Sequence, residues 1–252
     1  MAKSKNRVTT ILITGASSGI GKACALALAG KGVHLILTGR REAELKKVAK
    51  KCAPAKTTIL VFDIRDQKAT IKALKHVDAD ILINNAGLAL DLSSADQTNL
   101  EDWNTMVDTN ITGMLTATRT ILPGMKKRKR GHIINISSIA GTYPYAGGNV
   151  YGATKAFMTH FSLSLRADLL SSPVRVTNIE PGMVETEFSN IRFKGDKKRA
   201  GAVYQGLQPL TAEDIAETVR WSIAQPAHVN INRIEVMPVM QAPGGPQVSR
   251  KV

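Results

Sequence analysis

Tyr151 and Lys155 are the pair of residues in this sequence whose types and spacing point most directly to chemistry. They stand four residues apart in the stretch VYGATKAF, from Val150 to Phe157, so a helix would place them on one face. A cation beside a phenol favours the phenolate and lowers a pKa that is ordinarily about 10. A tyrosine tuned in this way can exchange protons near neutrality. The same spacing also suits a packed ring beside a solvated lysine, so the pair alone does not decide between the two.

A glycine-rich stretch near the start predicts a phosphate-binding turn. Gly15, Gly19 and Gly21, in TGASSGIG, follow an apolar run and open a helical pattern with the spacing GxxxGxG. Glycines let the backbone approach a pyrophosphate, and a helix N-terminus offers N–H groups and a positive dipole end. The alternative is a tight strand-to-helix turn without a ligand. The position of the turn, in the first strand–helix unit of the chain, favours dinucleotide binding.

The end of the second predicted strand indicates which dinucleotide. A sheet that binds NAD places an acidic residue there, whereas arginine suits the 2′-phosphate of NADP. Here Gly39 stands about where the acid would be, and Arg40 and Arg41 follow. Two arginines at a helix start oppose the helix dipole, so a merely structural role accounts for them poorly. Ser17, in the glycine turn, could add a hydroxyl to the same phosphate. The end of the second strand therefore predicts that the dinucleotide is NADP.

The elements that must position these residues alternate regularly along the chain. Seven apolar runs rich in Ile, Val and Leu predict strands buried on both faces, as in a parallel sheet, at 8–14, 33–38, 57–62, 79–84, 131–137, 174–180 and 231–237. Helical patterns lie between them at 19–31, 41–52, 66–75, 99–122, 150–170 and 211–224. This alternation predicts one doubly wound α/β domain over residues 1–252, with helices on both faces of the sheet. The long connection at about 185–210 does not fit the alternation and predicts a lid.

Composition narrows the possible classes of protein. The chain has 252 residues, is 43% hydrophobic and carries a formal charge of +14, which raises nucleic-acid binding as a second hypothesis. Its densest basic run, MKKRKRG, is expected to form a solvated loop, and with 4% aromatic residues no base-stacking platform is visible. Two cysteines and five scattered histidines show no metal-ligand spacing. The start, MAKSKNR, is followed by too short an apolar run for a signal peptide. We therefore expect a cytoplasmic protein with no metal, no membrane segment and no nucleic-acid partner.

Five motifs in order resemble the short-chain dehydrogenase/reductase family. They are TGASSGIG, NNAG at 84–87, SS at 137–138, YGATK at 151–155 and PGMVET at 181–186. The resemblance runs from about Val8 to Met237. It implies a Rossmann-type sheet of about seven parallel strands and a homo-oligomer, with a tetramer favoured.

The resemblance also implies roles for individual residues. Tyr151 would be the general acid/base, Lys155 would lower its pKa and bind the nicotinamide ribose, and Ser138 would bind the substrate oxygen. Asn110 would complete this catalytic group through a water to the lysine. The implied NADP-binding residues, besides Tyr151 and Lys155, are Gly15, Ser17, Ser18, Gly19, Ile20, Gly21, Arg40, Arg41, Asp63, Ile64, Asn85, Ala86, Gly87, Pro181, Gly182, Val184 and Thr186.

Within the family, the stretches GTYPYAGGNVYGATKAF, EPGMVETEFSNIRFKGD and PAHVNIN are similar to the NADP-dependent 3-hydroxy acid dehydrogenases, also described as serine dehydrogenases. This similarity implies oxidation of the 3-hydroxyl of acids such as L-allo-threonine, serine or 3-hydroxyisobutyrate. Arg192 would hold the carboxylate, and Tyr145 and Asn149, with Tyr143, would form the opposite wall. Two alternatives stay open: another NADPH-dependent carbonyl or 3-oxoacyl-carrier reductase, and a basic binding protein on the same fold without turnover.

Overall fold

The structure, a computed structural model, describes residues 8–243 and contains the predicted strands. The basic start MAKSKNR lies outside the described residues. Each strand matches one apolar run to within a residue or two: β1 Thr9–Ile13, β2 Val33–Gly39, β3 Lys56–Val61, β4 Ile81–Asn84, β5 Gly131–Ile136, β6 Val174–Pro181 and β7 Arg233–Val236. They form one seven-stranded sheet in the order β3-β2-β1-β4-β5-β6-β7, and every pairing is parallel. The predicted Rossmann-type doubly wound sheet is therefore confirmed.

Both faces of the sheet are covered, which explains why the strands read as continuous apolar runs. Ile11 and Ile13 pack into one buried cluster, with residues of the first, second and last helices. Leu12, between them, packs into a second cluster on the opposite face. The helices are α1 Gly19–Ala27, α2 Glu42–Lys51, α3 Gln67–Leu74, α4 Leu100–Val107, α5 Met114–Lys127, α6 Asn149–Asp168, α7 Phe188–Arg192, α8 Lys197–Ala202 and α9 Ala212–Ala224. No helix within the described part of the chain is long and apolar enough to span a membrane.

The helix predicted at 99–122 differs from the observed structure in two ways. A π-helical turn, Asp108–Gly113, separates α4 from α5, and α5 extends to Lys127. A π-turn inserts an extra residue into the helical ladder and is frequent at functional sites. Here it carries Asn110, which is fully buried. Apolar periodicity did not reveal the turn because it leaves the buried face of the helix largely unbroken.

The basic run at 126–130 is only partly the solvated loop that was predicted. Lys126 and Lys127 end α5 and are exposed. Arg128 pairs with the carboxylate of Asp78 and also donates to the carbonyl of Ala79 at 2.6 Å. Arg130 likewise pairs with Asp80. These arginines therefore tie the end of α5 to the start of β4.

Polar side chains are buried near the carboxyl ends of the central strands. Asn84, Asn135 and Asn178 are register partners on β4, β5 and β6, and each is at most 2% exposed. The amide of Asn84 donates to Asn135 Oδ1 at 2.8 Å. Hydrogen bonds of this kind satisfy buried polar groups that would otherwise destabilise the fold. This bond links the side chains of β4 and β5, whereas the amide of Asn178 donates to Glu180 Oε1 at 2.6 Å.

His132, on β5, makes the stability of the fold depend on pH. Its ring is buried and its Nε2 lies 2.8 Å from Thr177 Oγ1. Burial, aided by the nearby charge of Arg175, lowers the pKa of His132 to about 3. The unfolded chain binds a proton at this side chain near its ordinary pKa of about 6.5. The contribution of His132 to stability is therefore present above pH ~6.5 and is lost as the pH falls towards the native value.

We predict that His132→Gln flattens the acid dependence of stability. Below pH ~6.5 the histidine contributes a slope of up to about 1.4 kcal/mol per pH unit to the free energy of unfolding. Denaturant unfolding measured between pH 7 and pH 4 should show this slope in the wild type and lose it in the variant, whatever their absolute stabilities. Replacing the exposed His76 by Gln is the matched control and should leave the slope unchanged. Equal slopes in wild type and His132→Gln would contradict the assignment.

Candidate active site

A cleft of about 700 Å³ lies at the carboxyl edge of the sheet. In open parallel sheets this edge is the usual place for a ligand, at the point where the strand order reverses. The loops after β1 to β6 all reach the cleft. Of the residues predicted as functional, those lining it are Gly15, Ser17, Ser18, Gly19, Ile20, Arg40, Arg41, Asp63, Ile64, Asn85, Ala86, Gly87, Ser138, Tyr145, Tyr151, Lys155, Pro181, Gly182, Val184, Thr186 and Arg192.

The glycine turn sits between β1 and β4, where the order of the strands reverses. Gly15 has φ +68°, and a Cβ there would lie 2.9 Å from the Cα of Ala86. A Cβ on Gly21 would lie 2.4 Å from both Gly15 O and Asn85 Nδ2. Gly21 therefore does not line the cleft but packs the first turn of α1 against the loop after β4. This close approach leaves the N-terminus of α1 directed at the cleft, where its N–H groups suit an anion.

Two arginines stand at the adenine end of the cleft, beside the glycine turn. Arg41 donates through Nη2 to Ser18 Oγ at 2.5 Å and through Nε to Ser17 Oγ at 3.3 Å. Arg40 lies 3.8 Å from the carboxylate of Asp63. Hydrogen bonding from Arg65 lowers the pKa of Asp63, with Arg40 adding a smaller effect. The structure thus brings the arginines, the serines and Asp63, which was predicted to bind NADP, into one polar wall.

Tyr151 and Lys155 lie on the inner face of α6, with exposed fractions of 8% and 5%. The Nζ atom of Lys155 is 5.8 Å from the centroid of the Tyr151 ring and donates to the carbonyl of Ile136 at 2.9 Å. Burial raises the pKa of Tyr151 to about 12 and lowers the pKa of Lys155 to about 8. Burial therefore favours the neutral forms of both groups.

A second cation, Arg192, lowers the pKa of Tyr151 in this structure. The spacing of Tyr151 and Lys155 did not predict this arginine. The guanidinium carbon of Arg192 lies 5.0 Å from the centroid of the Tyr151 ring. Periodicity along one helix could not reveal an arginine contributed by a different helix.

Ser138 and Asn110 approach this pair from other elements. The hydroxyl of Ser138 accepts from the N–H of Ala140 at 3.1 Å, and its hydrogen bond to Tyr151 favours the phenolate. Asn110 does not line the cleft. Its amide donates to the carbonyl of Leu88 at 2.9 Å. A Cβ on Gly87 would lie 3.2 Å from Asn110 Oδ1 and 3.5 Å from Lys155 Nζ. Both side chains therefore lie close to Gly87.

Arg192 dominates the end of the cleft beyond Tyr151. Its Nη2 donates to the hydroxyl of Tyr145 at 3.0 Å, and its guanidinium carbon lies 5.1 Å from the ring centroid of Phe188. Its Nε is buried without a hydrogen-bond partner. Among the described residues no carboxylate forms an ion pair with it. A partly buried arginine surrounded by rings and lacking a carboxylate partner is suited to an anionic ligand.

Asn149 is the predicted substrate residue that the structure does not place in the cleft. It begins α6, and its Oδ1 accepts from the N–H of Val150 at 2.7 Å. Its side chain borders a neighbouring depression instead. Tyr143 does line the cleft, but its hydroxyl donates to Glu235 at 3.1 Å. Of the predicted wall residues, Tyr145 and Arg192 therefore border the end of the cleft beyond Tyr151, and Asn149 does not.

Several residues that line the cleft were not predicted individually, among them Phe188, Tyr204 and Gln241. Phe188 packs its ring 5.7 Å from that of Tyr151. The hydroxyl of Tyr204 donates to the carbonyl of Val184 at 3.0 Å. Gln241 accepts from the N–H of Met183 at 2.9 Å. The length of the connection after Thr186 was the only signal for the first two, and none pointed to Gln241. No cluster of metal-ligating side chains occurs within residues 8–243.

A doubly wound parallel sheet with a phosphate-binding turn at its reversal point is the architecture of a dinucleotide-binding protein. Residues 9–197 match the family described as short chain dehydrogenase, and the chain belongs to that family. It is 51% identical to a serine 3-dehydrogenase of Rhizobium radiobacter, covering 96% of this chain and 98% of the relative. It is 49% identical to an NADP-dependent 3-hydroxy acid dehydrogenase of Salmonella typhi, covering 95% and 99%. A solved structure of a closed form of serine dehydrogenase with NADP⁺ superposes with a TM-score of 0.89 at 48% identity, covering 96% of this chain and all of the other.

The electrostatic role of Arg192 predicts a shift in pH dependence. Arg192→Ala removes the cation that favours the phenolate of Tyr151, so the pH profile of kcat/KM for alcohol oxidation should move to higher pH. Arg192→Lys keeps a positive charge and should move the profile less. Tyr151→Phe is the reference variant and should lose at least ~10²-fold in kcat, the usual scale for a positioned acid/base. A profile whose midpoint is the same in wild type and Arg192→Ala would contradict the prediction.

Proposed function

We propose that this chain is an NADP-dependent dehydrogenase that oxidises the 3-hydroxyl group of small 3-hydroxy acids, such as L-allo-threonine, serine or 3-hydroxyisobutyrate. One observation carries the proposal: the guanidinium of Arg192, without a carboxylate partner among the described residues, stands over the ring of Tyr151 at 5.0 Å. An acid held there would present a carbon close to its carboxylate to the phenol. The names of the two relatives described above support the same substrate class.

The residues of the cleft fit an NADP molecule. The glycine turn leaves no room for a Cβ at Gly15 or Gly21, as expected where the backbone must approach a pyrophosphate. Arg40 and Arg41, with the serines of the turn, would hold the 2′-phosphate. Asp63 and Ile64 would hold the adenine, and Lys155 would hold the nicotinamide ribose with donors not used by Ile136. Asn85 to Gly87 and the segment from Pro181 to Thr186 would line the remainder.

The chain supplies proton transfer and positioning. NADP⁺, when bound, accepts the hydride from the substrate carbon. Ser138 binds the substrate hydroxyl oxygen, and the phenolate form of Tyr151 accepts the hydroxyl proton at Oη. Arg192 and Ser138 both favour that phenolate, whereas burial opposes it. In the reverse direction the phenol donates the proton to the oxygen of the product carbonyl.

Arg192 positions the substrate as well as tuning the tyrosine. A guanidinium can bind a carboxylate with two parallel hydrogen bonds, which fixes the orientation of a small acid. Its Nη2 is already held by the hydroxyl of Tyr145 at 3.0 Å, and the ring of Phe188 supports it from one side. The guanidinium is thus partly preorganised before the acid binds, which reduces the entropic cost of binding.

The connection at 185–210 serves in this proposal as the lid of the single domain. It carries α7 and α8, and its contacts reach the body of the protein. Lys194 pairs with Asp102 at 2.7 Å, and the N–H of Asp91 donates to the carbonyl of Arg192 at 2.9 Å. Closure of this segment would bring Arg192 over the reacting carbon and exclude water.

We further propose a cytoplasmic homo-oligomer, with a tetramer favoured. The outer face of α6 supports association of two copies. Phe157 stacks on Phe161 at 6.0 Å between ring centroids, and Phe157 and Leu163 are 38% and 45% exposed. Exposed apolar side chains grouped on one helix are typical of an interface between subunits.

The cofactor assignment predicts a preference for NADP. The arginines would bind the 2′-phosphate through charge-assisted hydrogen bonds, each worth roughly 1.5–3 kcal/mol. The wild type should prefer NADP over NAD by at least about tenfold in kcat/KM. Replacing Arg40 and Arg41 together by Ala should weaken the binding of NADPH much more than the binding of NADH. Equal use of the two cofactors by the wild type would refute the assignment.

The substrate assignment predicts a preference for the free acid. The comparison is 3-hydroxyisobutyrate against its methyl ester, by nicotinamide absorbance, in wild type and Arg192→Ala. The acid should be the better substrate of the wild type and should lose most of this advantage in the variant, because the ester offers Arg192 no charge. Arg199→Ala removes an arginine of the same segment that stacks on Phe193 and is the control for general loss of charge.

The possible outcomes separate the parts of the proposal. Equal turnover of acid and ester by the wild type would remove the hydroxy-acid assignment and favour a carbonyl or acyl-carrier reductase. No turnover of any alcohol or carbonyl with either nicotinamide would favour a binding protein on this fold. If Arg192→Ala still prefers the acid to the ester, a residue other than Arg192 binds the carboxylate.

A further inference from the structure

Arg41 connects two sides of the cofactor cleft. Its Nε and Nη2 atoms donate to Ser17 and Ser18 in the glycine turn, as described above. Its Nη1 atom pairs with Glu187 Oε2 at 2.9 Å. Glu187 follows Thr186 directly, at the start of the segment that carries Arg192. One guanidinium therefore joins the glycine turn to a residue far away in the sequence, across the mouth of the cleft.

Arg40 and Arg41 differ in whether their carboxylate partner is also paired with another arginine. The partner of Arg40 is Asp63, at 3.8 Å, and Asp63 is already held by Arg65 at 2.7 Å. Arg40 is 61% exposed and remains available to a ligand. Glu187, in contrast, forms its ion pair within residues 8–243 with Arg41 alone. The carboxylate of Glu187 thus occupies Nη1 of Arg41, a donor that a 2′-phosphate could use.

We propose that Glu187 competes with the 2′-phosphate of the cofactor for Arg41, and so sets the affinity for NADP(H) relative to NAD(H). The inference rests on the proposed NADP preference. A phosphate monoester carries a charge of about −1.5 to −2 and three acceptor oxygens, so it displaces a single carboxylate from the guanidinium. NAD(H) lacks this group and leaves the ion pair intact. Binding of the phosphate consequently frees Glu187, and with it the start of the segment at 185–210.

The competition is measurable but modest, because both side chains of the pair are about half exposed. Exposed ion pairs contribute little to the free energy of folding or binding. The alternative to the competition is therefore a surface ion pair that does not affect cofactor binding. The engagement of all three guanidinium nitrogens argues against that alternative, since it fixes Arg41 in one orientation. Loss of the competing carboxylate should tighten 2′-phosphate binding roughly two- to fivefold.

The test uses calorimetry of two adenosine ligands that differ only in the phosphate at issue. Adenosine 2′,5′-bisphosphate carries the 2′-phosphate, and adenosine 5′-monophosphate does not. Each is titrated into the full-length wild type, Glu187→Gln and Glu185→Gln. Glu185 is an exposed acid two positions away that does not line the cleft, so its variant controls for the general loss of one negative charge. Arg41→Ala and Arg41→Ala/Glu187→Gln complete the set.

The expected result is a two- to fivefold lower Kd for the bisphosphate in Glu187→Gln than in Glu185→Gln, with the monophosphate unchanged. Adding Glu187→Gln to Arg41→Ala should have no further effect, because the competition acts through Arg41. An unchanged or higher Kd in Glu187→Gln overturns the inference, since Glu187 would then be neutral or would position Arg41 for the phosphate. If the wild type itself does not bind the bisphosphate more tightly than the monophosphate, the NADP assignment fails first and the competition fails with it.

Discussion

The parallel arrangement of all seven strands is the constraint on which the rest of the structure depends. Because neighbouring strands run in the same direction, the loops that follow them emerge at one edge of the sheet. The glycine turn after β1, the arginines after β2 and the serine after β5 therefore face a single cleft. Helices bury both faces of the sheet, which holds this edge rigid. One sheet therefore brings together residues that are separated by more than a hundred positions in the sequence.

Positive charge at the two ends of the cleft is organised differently. At the end beside the glycine turn, Arg40 and Arg41 each have a carboxylate partner within 4 Å. At the end beyond Tyr151, Arg192 is surrounded by the rings of Tyr145, Tyr151 and Phe188. Arg192 has no carboxylate partner among the described residues. The formal charge of +14 gives a favourable field for anionic ligands at both ends.

The segment at 185–210 contacts both ends of the cleft. Near its start Glu187 contacts Arg41, and Arg192, five residues later, lies over the ring of Tyr151. A short α-helix, Phe188–Arg192, connects the two contacts, and hydrogen bonds within a helix keep its two ends in a fixed relation.

The sequence by itself was sufficient for the fold class and for most of the cleft. Continuous apolar runs located all seven strands, because a strand covered on both faces has no polar side to obscure the pattern. Glycine at positions with no room for a Cβ, such as Gly15, and arginine in place of an acid after β2 are requirements of local backbone and charge, so they can be recognised in the sequence alone. The catalytic group, in contrast, was implied only by the family resemblance, and its roles stay predictions.

Only the tertiary structure decided which side chains meet across different elements. Arg192 reaches the ring of Tyr151 from α7 and lowers the pKa of that phenol. Asn149 is adjacent to the catalytic tyrosine in sequence but its amide is used at the start of α6. Phe188 and Gln241 reach the cleft from segments without a recognisable motif. Periodicity and motifs report the environment of a residue within its own element, whereas these contacts depend on how loops and helices pack against one another, which no local pattern records.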